Sequence, residues 1–142
     1  MPKFTPEQRA WIDDLKTTTA PQTKCNLQDT HGFCCLGRGL EALGIAPKDR
    51  IQGVAYYENG TPDGEDTVLP PAAAERLGLR STNGHIDRSK LPSNSPWSKE
   101  FDRHPRIDTL WKLNDDLQWP FEKIGRFIED NPTAVFKTQE PA

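Results

Sequence analysis

The sequence predicts an α+β fold: a small, mostly antiparallel sheet packed against several short helices, in a single domain with long irregular loops. Three observations lead there. Runs with helical spacing and runs with two-residue alternation are both short and interleave along the chain. Thirteen prolines among 142 residues, most of them between candidate elements, exceed the usual share of roughly 5% and call for ordered but irregular connections. Hydrophobic residues make up only 34%, so much of the chain must be surface or loop. The length is that of one ordinary domain. A domain of this size buries about 68–70% of its unfolded surface, enough for a core without staples. Residues 1–136 are read as the domain and 137–142 as a flexible C-terminal tail.

The elements follow in order. Thr5-Pro6-Glu7-Gln8 opens a helix: Thr5 caps, Pro6 suits the first helical position and Gln8 completes a capping box. Ala10, Trp11, Ile12 and Leu15 give it one apolar side, and the β-branched run Thr17-Thr18-Thr19 stops it before Ala20-Pro21. Residues 22–28 alternate weakly, with Cys25 and Leu27 on one side, as a strand would. Asp29-Thr30-His31-Gly32 supplies turn chemistry. Phe33, Leu36, Leu40 and Leu43 then recur at helical spacing up to Gly44, which suits a left-handed cap. Gly37 and Gly39 each cost a helix about 1 kcal/mol relative to alanine. Close backbone packing explains them, as would room for a ligand.

Ile51 to Tyr57 reads as a strand. Asn59-Gly60 carries the pair favoured in hairpin turns, and Asp66 to Leu69 would be the return strand after a longer, bulged connection. Tyr56 and Tyr57 must point to opposite faces. Ala72 to Leu77 is a short helix closed by Gly78, and Leu79 to Ile86 reads as a second small hairpin turning at Asn83-Gly84. From Asp87 to Arg106 there is little periodicity, and Trp97 is expected to pin a long loop. Ile107 to Leu113 forms a short helix ended by Asn114-Asp115-Asp116. Pro120 opens a last helix with the stripe Phe121, Ile124, Phe127 and Ile128, and Asn131-Pro132 stops it. The predicted core contains Leu36, Leu40, Leu43, Ile124, Phe127 and Ile128.

Net charge is −3, which opposes nucleic acid as a partner, since phosphate binders present a basic face. Arg103-His104-Pro105-Arg106 is the one local basic cluster, able to take a phosphate or simply to be solvated. No apolar run approaches the roughly 18 residues of a membrane span, and the N-terminus lacks a signal-peptide core. Three cysteines leave an odd one, against a secreted disulfide framework. A reduced, cytoplasmic location is expected.

Two stretches, GFCCLG (Gly32 to Gly37) and LND followed by F-x-x-I-G-x-x-I (Leu113 to Asp115, then Phe121 to Ile128), resemble a family of small uncharacterised proteins of bacteriophages and prophages. In those relatives the first motif often runs on to a second cysteine-containing turn, where this chain has Arg38-Gly39-Leu40. Leu117, Gln118 and Trp119 also lengthen the spacer before the last helix. The resemblance covers both ends of the chain and implies phage origin, with a host-cell cytoplasmic setting. It implies no particular chemistry.

Four constellations bear on activity. Cys34 or Cys35, near a helix N-terminus that favours thiolate, could act as a nucleophile with His31 as partner, in a hydrolase or transferase. Adjacent cysteines on an amphipathic helix are more simply packing residues. Cys25, Cys34, Cys35 and His31 lack the paired spacing of a zinc site, so neither metal nor cofactor is expected. FEKIGRFIEDN looks like the first helix of a helix-turn-helix, but only a proline-marked tail follows. Finally, Asp29, His31, Arg38, Asn83, His85, Trp97, Arg103, Asn114 and Asp115 could line a ligand pocket, with Trp111 and Trp119 as further stacking surfaces. The leading expectation is a non-enzymatic phage accessory protein that counters host defence. It would do so by sequestering a nucleotide-type immune signal or by blocking a host protein. The rivals are the cysteine enzyme and a structural or DNA-metabolism accessory role. Self-association is left open.

Overall fold

The computed structural model describes residues 4–137; of the tail expected at 137–142, all but Lys137 lies outside them. Helix α1 is Pro6–Thr17. Its start is the predicted capping box: the Thr5 hydroxyl accepts from the Gln8 N–H at 3.1 Å, and the Gln8 side chain accepts from the Thr5 N–H at 3.0 Å. Trp11, Ile12 and Leu15 are sealed in the core. The helix ends at the threonine run, where branched side chains lose rotamer freedom.

The expected strand at 22–28 is corrected. Gln28–Asp29 (β1) pairs, antiparallel, with Gly32–Phe33 (β2), and Gln22 makes one isolated parallel bridge to Phe33, with the Thr23 N–H donating to the Phe33 carbonyl at 2.7 Å. Between these points the backbone donors go elsewhere: Cys25 N–H to the Asp115 carboxylate at 2.9 Å and Leu27 N–H to the Asp66 carbonyl at 2.6 Å. Cys25 takes a left-handed φ of 70°. A segment whose donors are spent on distant loops cannot also form a ladder.

Helix α2 is Cys35–Ala42. It ends as predicted at Gly44, whose φ is +74°. Gly44 N–H donates to Glu41 O and Ile45 N–H to Leu40 O, the paired bonds of a Schellman closure. Leu36 and Leu40 are fully buried, while Leu43 is only partly so. Next come β3 (Asp49–Ile51) and β4 (Val54–Tyr56), antiparallel. The hairpin therefore turns at Gln52-Gly53, both with positive φ (52° and 84°), as a two-residue primed turn requires. The Asn59-Gly60 turn and the 66–69 return strand are corrected accordingly. The Asn59 side chain is occupied in a local turn, accepting from the Thr61 N–H and hydroxyl. Tyr57 and Glu65 exchange a pair of 2.8 Å backbone bonds that close the loop between them. The result is two separate two-stranded ribbons rather than one sheet. The tyrosines alternate as expected, Tyr57 buried and Tyr56 half-buried.

Helix α3 (Pro71–Leu77) closes at Gly78. The 79–86 hairpin is also corrected. The Ser81–Gly84 turn exists, but its arms pair outward, Leu79 with Phe136 and His85 with Thr109. The stretch read as an irregular loop holds a 3-10 turn (Arg88–Lys90) and helix α4 (Pro96–Asp102). Ser95 caps α4 through the Ser98 N–H at 3.0 Å, so Pro96 is a first-turn proline and not a breaker. Helix α5 is Leu110–Asp115, α6 is Phe121–Asp130, and Pro132 opens a single turn, α7 (Pro132–Val135).

Helices α1 and α6 lie against each other closely enough that a Cβ on Gly125 would stand 3.0 Å from the Leu15 Cβ. Glu129 of α6 bridges this pair, accepting from Arg9 at 2.6 Å and Lys16 at 2.7 Å. Ile124, Phe127 and Ile128 face α1 and the rest of the core at zero exposure. The architecture is a single α+β domain, with helices as its core and ribbons at its margin.

Candidate functional site

The two adjacent cysteines sit inside the core. Cys34 is 1% and Cys35 0% exposed. Cys34 is the N-cap of α2, and its sulfur accepts from the Gly37 N–H at 3.4 Å. Cys35 donates its thiol to the Leu110 carbonyl at 3.5 Å, and its own carbonyl accepts from the Trp11 indole at 3.0 Å. Burial pushes the Cys34 thiol up to about 12, with the neighbouring Asp115 charge adding to it against the pull of the Gly37 and Leu36 N–H groups. Burial raises Cys35 too, reinforced by Cys34 and Asp115. The expected activating effect of a helix N-terminus is overridden, because desolvation of a thiolate outweighs it. Cys25, by contrast, is exposed. Among the described residues no three His, Cys, Asp or Glu side chains stand together as a metal site.

Asn114 joins the two sequence motifs. It is 1% exposed, and its amide makes four bonds. Its oxygen accepts from the Cys35 N–H at 3.0 Å and the Gln22 side chain at 2.8 Å; its nitrogen donates to the Thr23 carbonyl and the Asp115 carboxylate, each at 2.8 Å. The Cys35 N–H is one of the donors a helix start leaves unpaired, so the LND asparagine completes the cap of the CCLG helix. Asp115 in turn holds the Cys25 N–H. Only a small, 170 Å³ polar pocket opens beside Asn114, and every hydrogen-bonding position of its amide is taken by protein.

The expected rim of Asp29, His31 and Arg38 is likewise occupied with folding. Asp29 accepts from Thr23, Asn26 and the His31 N–H. Burial pushes its pKa up, but these bonds and one from the Gly32 N–H prevail and hold it below the usual carboxylate range. Arg38 pairs with both oxygens of Asp14, at 2.6 and 2.8 Å, and lies 4.6 Å from the Phe33 ring centroid. The His31 and His85 side chains are exposed, and Asn83 accepts from Ser81 within its turn. Arg103 is exposed on the basic loop. That loop is shaped by a residue the sequence did not single out: Arg88 donates to the Phe101, His104 and Ile107 carbonyls at 2.7–2.8 Å.

Of the nominated ligand residues, Trp97 is the one that lines the larger opening. It belongs to a cleft of about 530 Å³ between α4 and the flank of α6, walled by Pro96, Trp97, Pro120, Lys123, Arg126 and Asp130. The Trp97 indole N–H donates to Asp130 at 2.9 Å. Behind it, Trp97, Phe101, Trp119 and Phe127 form one aromatic cluster, with Phe101 and Phe127 stacked at 5.1 Å. Trp119 is thereby a core residue, and Trp111 is half-buried apart from this cleft. Both cations of the wall are engaged: Lys123 with Glu100 at 2.6 Å and over the Trp119 ring at 4.3 Å, and Arg126 with Glu122 at 2.8 Å. Asp130, Lys123 and Arg126 were missed in the sequence. A signal existed, because α6 ends on Glu129-Asp130 with no basic residue in its last turn, contrary to the dipole preference.

Fold and site together define a small α+β domain with a sealed pair of adjacent cysteines and, among the described residues, an open cleft at Trp97. A family described as a domain of unknown function (DUF8296) matches residues 7–132, and the chain belongs to that family. No curated protein and no solved structure matches it. No helix among the described residues is long and apolar enough to cross a membrane.

Proposed function

We propose that the chain is a non-enzymatic, phage-type accessory protein that counters host defence in the host cytoplasm by binding and blocking a host protein. The observation that carries this reading is the cleft at Trp97, where an aromatic side chain and two prolines form an apolar patch edged by charged groups that include Arg126; aromatic residues and arginine are enriched at protein contact surfaces, which carry their other polar groups at the rim. Burial of both adjacent thiols supports a packing role for Cys34 and Cys35 over a nucleophilic one. Between the two binding readings, a nucleotide-type signal is the weaker. Its phosphates need uncommitted cations, while Lys123 and Arg126 are already paired with carboxylates. The motif resemblance supports the phage setting.

The test is expression of the chain in bacteria carrying different immune systems, followed by phage challenge. Restored plating against at least one system is expected; unchanged plating against all of them overturns the proposal. Calorimetry of the purified chain with cyclic and ADP-ribose-type nucleotides is expected to show no saturable heat. Saturable binding there would replace the host protein with a nucleotide as the target.

A further inference from the structure

We propose that the α4–α6 cleft takes a cationic side chain, arginine or lysine, presented by a protein segment, with its charge at Asp130 and its stem against Trp97 and the two prolines. This rests on the binding role above and gives the partner its chemistry. The starting point is the end of α6. A helix C-terminus carries partial negative charge and favours cations, yet α6 ends on two acids and has no base in its last turn. Glu129 is compensated within the fold by Arg9 and Lys16. Asp130 is exposed and, among the described residues, is met only by the neutral Trp97 indole N–H. Local rules are broken in this way chiefly where a site is being built.

The rest of the cleft agrees in sign. Its wall holds three carboxylates (Glu100, Glu122, Asp130) against two cations, and each of those cations is paired with one of the first two acids. An anionic partner would have to break those pairs. A cationic one meets a carboxylate that no protein cation occupies. Arginine suits the apolar wall as well, because its guanidinium stacks on aromatic faces while bonding a carboxylate. A cleft of about 530 Å³ accommodates such a side chain with its neighbours.

The experiment is a proton–nitrogen NMR titration of the labelled full chain with acetyl-Leu-Arg-Leu-amide and with the same peptide carrying citrulline, which keeps the shape and removes the charge. Saturable shifts of the Trp97 indole N–H and the Asp130 amide are expected from the arginine peptide, with binding about five-fold weaker for citrulline, as loss of one partly solvated ion pair implies. Asp130→Asn is expected to weaken the arginine peptide by a similar factor at unchanged melting temperature, and Trp97→Phe tests the ring without its N–H. Equal response to both peptides, or shifts centred away from the cleft, would overturn the proposal. Such a failure alongside restored phage plating strikes this site chemistry and leaves the binding role standing. A successful titration without restored plating supports the site and strikes the role.

Discussion

Single side chains decide whether the two halves of the chain meet, and Asn114 is the clearest case. Its four bonds tie α5 to the start of α2 and to the segment at Gln22–Thr23. Asn114→Ala would strand the buried Cys35 N–H and the Thr23 carbonyl. At about 1–3 kcal/mol per unsatisfied group, a loss of about 3 kcal/mol is expected, read as a lower urea midpoint at unchanged slope. Cys34 carries a different prediction. Its folded thiol is raised to about 12 from an ordinary 9.0, so the folded state binds the proton more tightly. The stability this confers is complete below pH 9 and drains away as pH rises toward 12. Tyr57, also raised to about 12 chiefly by burial, adds to the same alkaline loss. Melting temperature is therefore expected to fall across that window. Cys34→Ser should flatten the fall while keeping the cap, because a serine hydroxyl accepts the Gly37 N–H at least as well as sulfur does.

At the scale of elements, the decisive contact is the approach of α2 to the backbone at Leu27. A Cβ on Gly37 would lie 1.8 Å from the Leu27 carbonyl oxygen, a backbone atom that cannot swing aside. Gly37→Ala is expected to cost about 3 kcal/mol or more. Gly44→Ala, in open space but at positive φ, should cost only about 1 kcal/mol; thermal unfolding of the two variants checks the contrast. Elements defined by neighbouring residues were legible in the sequence. The Thr5 capping box, the Gly44 and Gly78 closures and the stripe of α6 are all local physics. The ribbons were not, because their partners are distant. Asn59-Gly60 has the better turn propensity, yet Gln52-Gly53 makes the hairpin while Asn59 folds on its own side chain. Helix α4 is too short to show periodicity in a stretch expected to be a long loop, although Ser95-Pro96 is a helix start. The site divided the same way. Trp97 stood out as an aromatic residue in an aperiodic stretch. Asn114 looked like a ligand residue because its partner at Cys35 is 79 positions away. Asp130 carries no local signal beyond an acid at a helix end, and its partner Trp97 is 33 positions away.

For the whole molecule, the account separates a sealed interior from one working face. The cysteine pair, Asn114 and the Arg38–Asp14 pair hold the interior together, and the α4–α6 cleft is the proposed partner surface. The measurement that tests this most directly is phage plating in a defended host where the native chain restores plating, comparing Asp130→Asn and Trp97→Ala with Cys34→Ser at matched expression and with melting temperatures recorded. Both cleft variants are expected to fail to restore plating while folded, and Cys34→Ser to restore it. Failure of a fully folded Cys34→Ser, with both cleft variants still restoring plating, would contradict the assignment of the cleft as the working face.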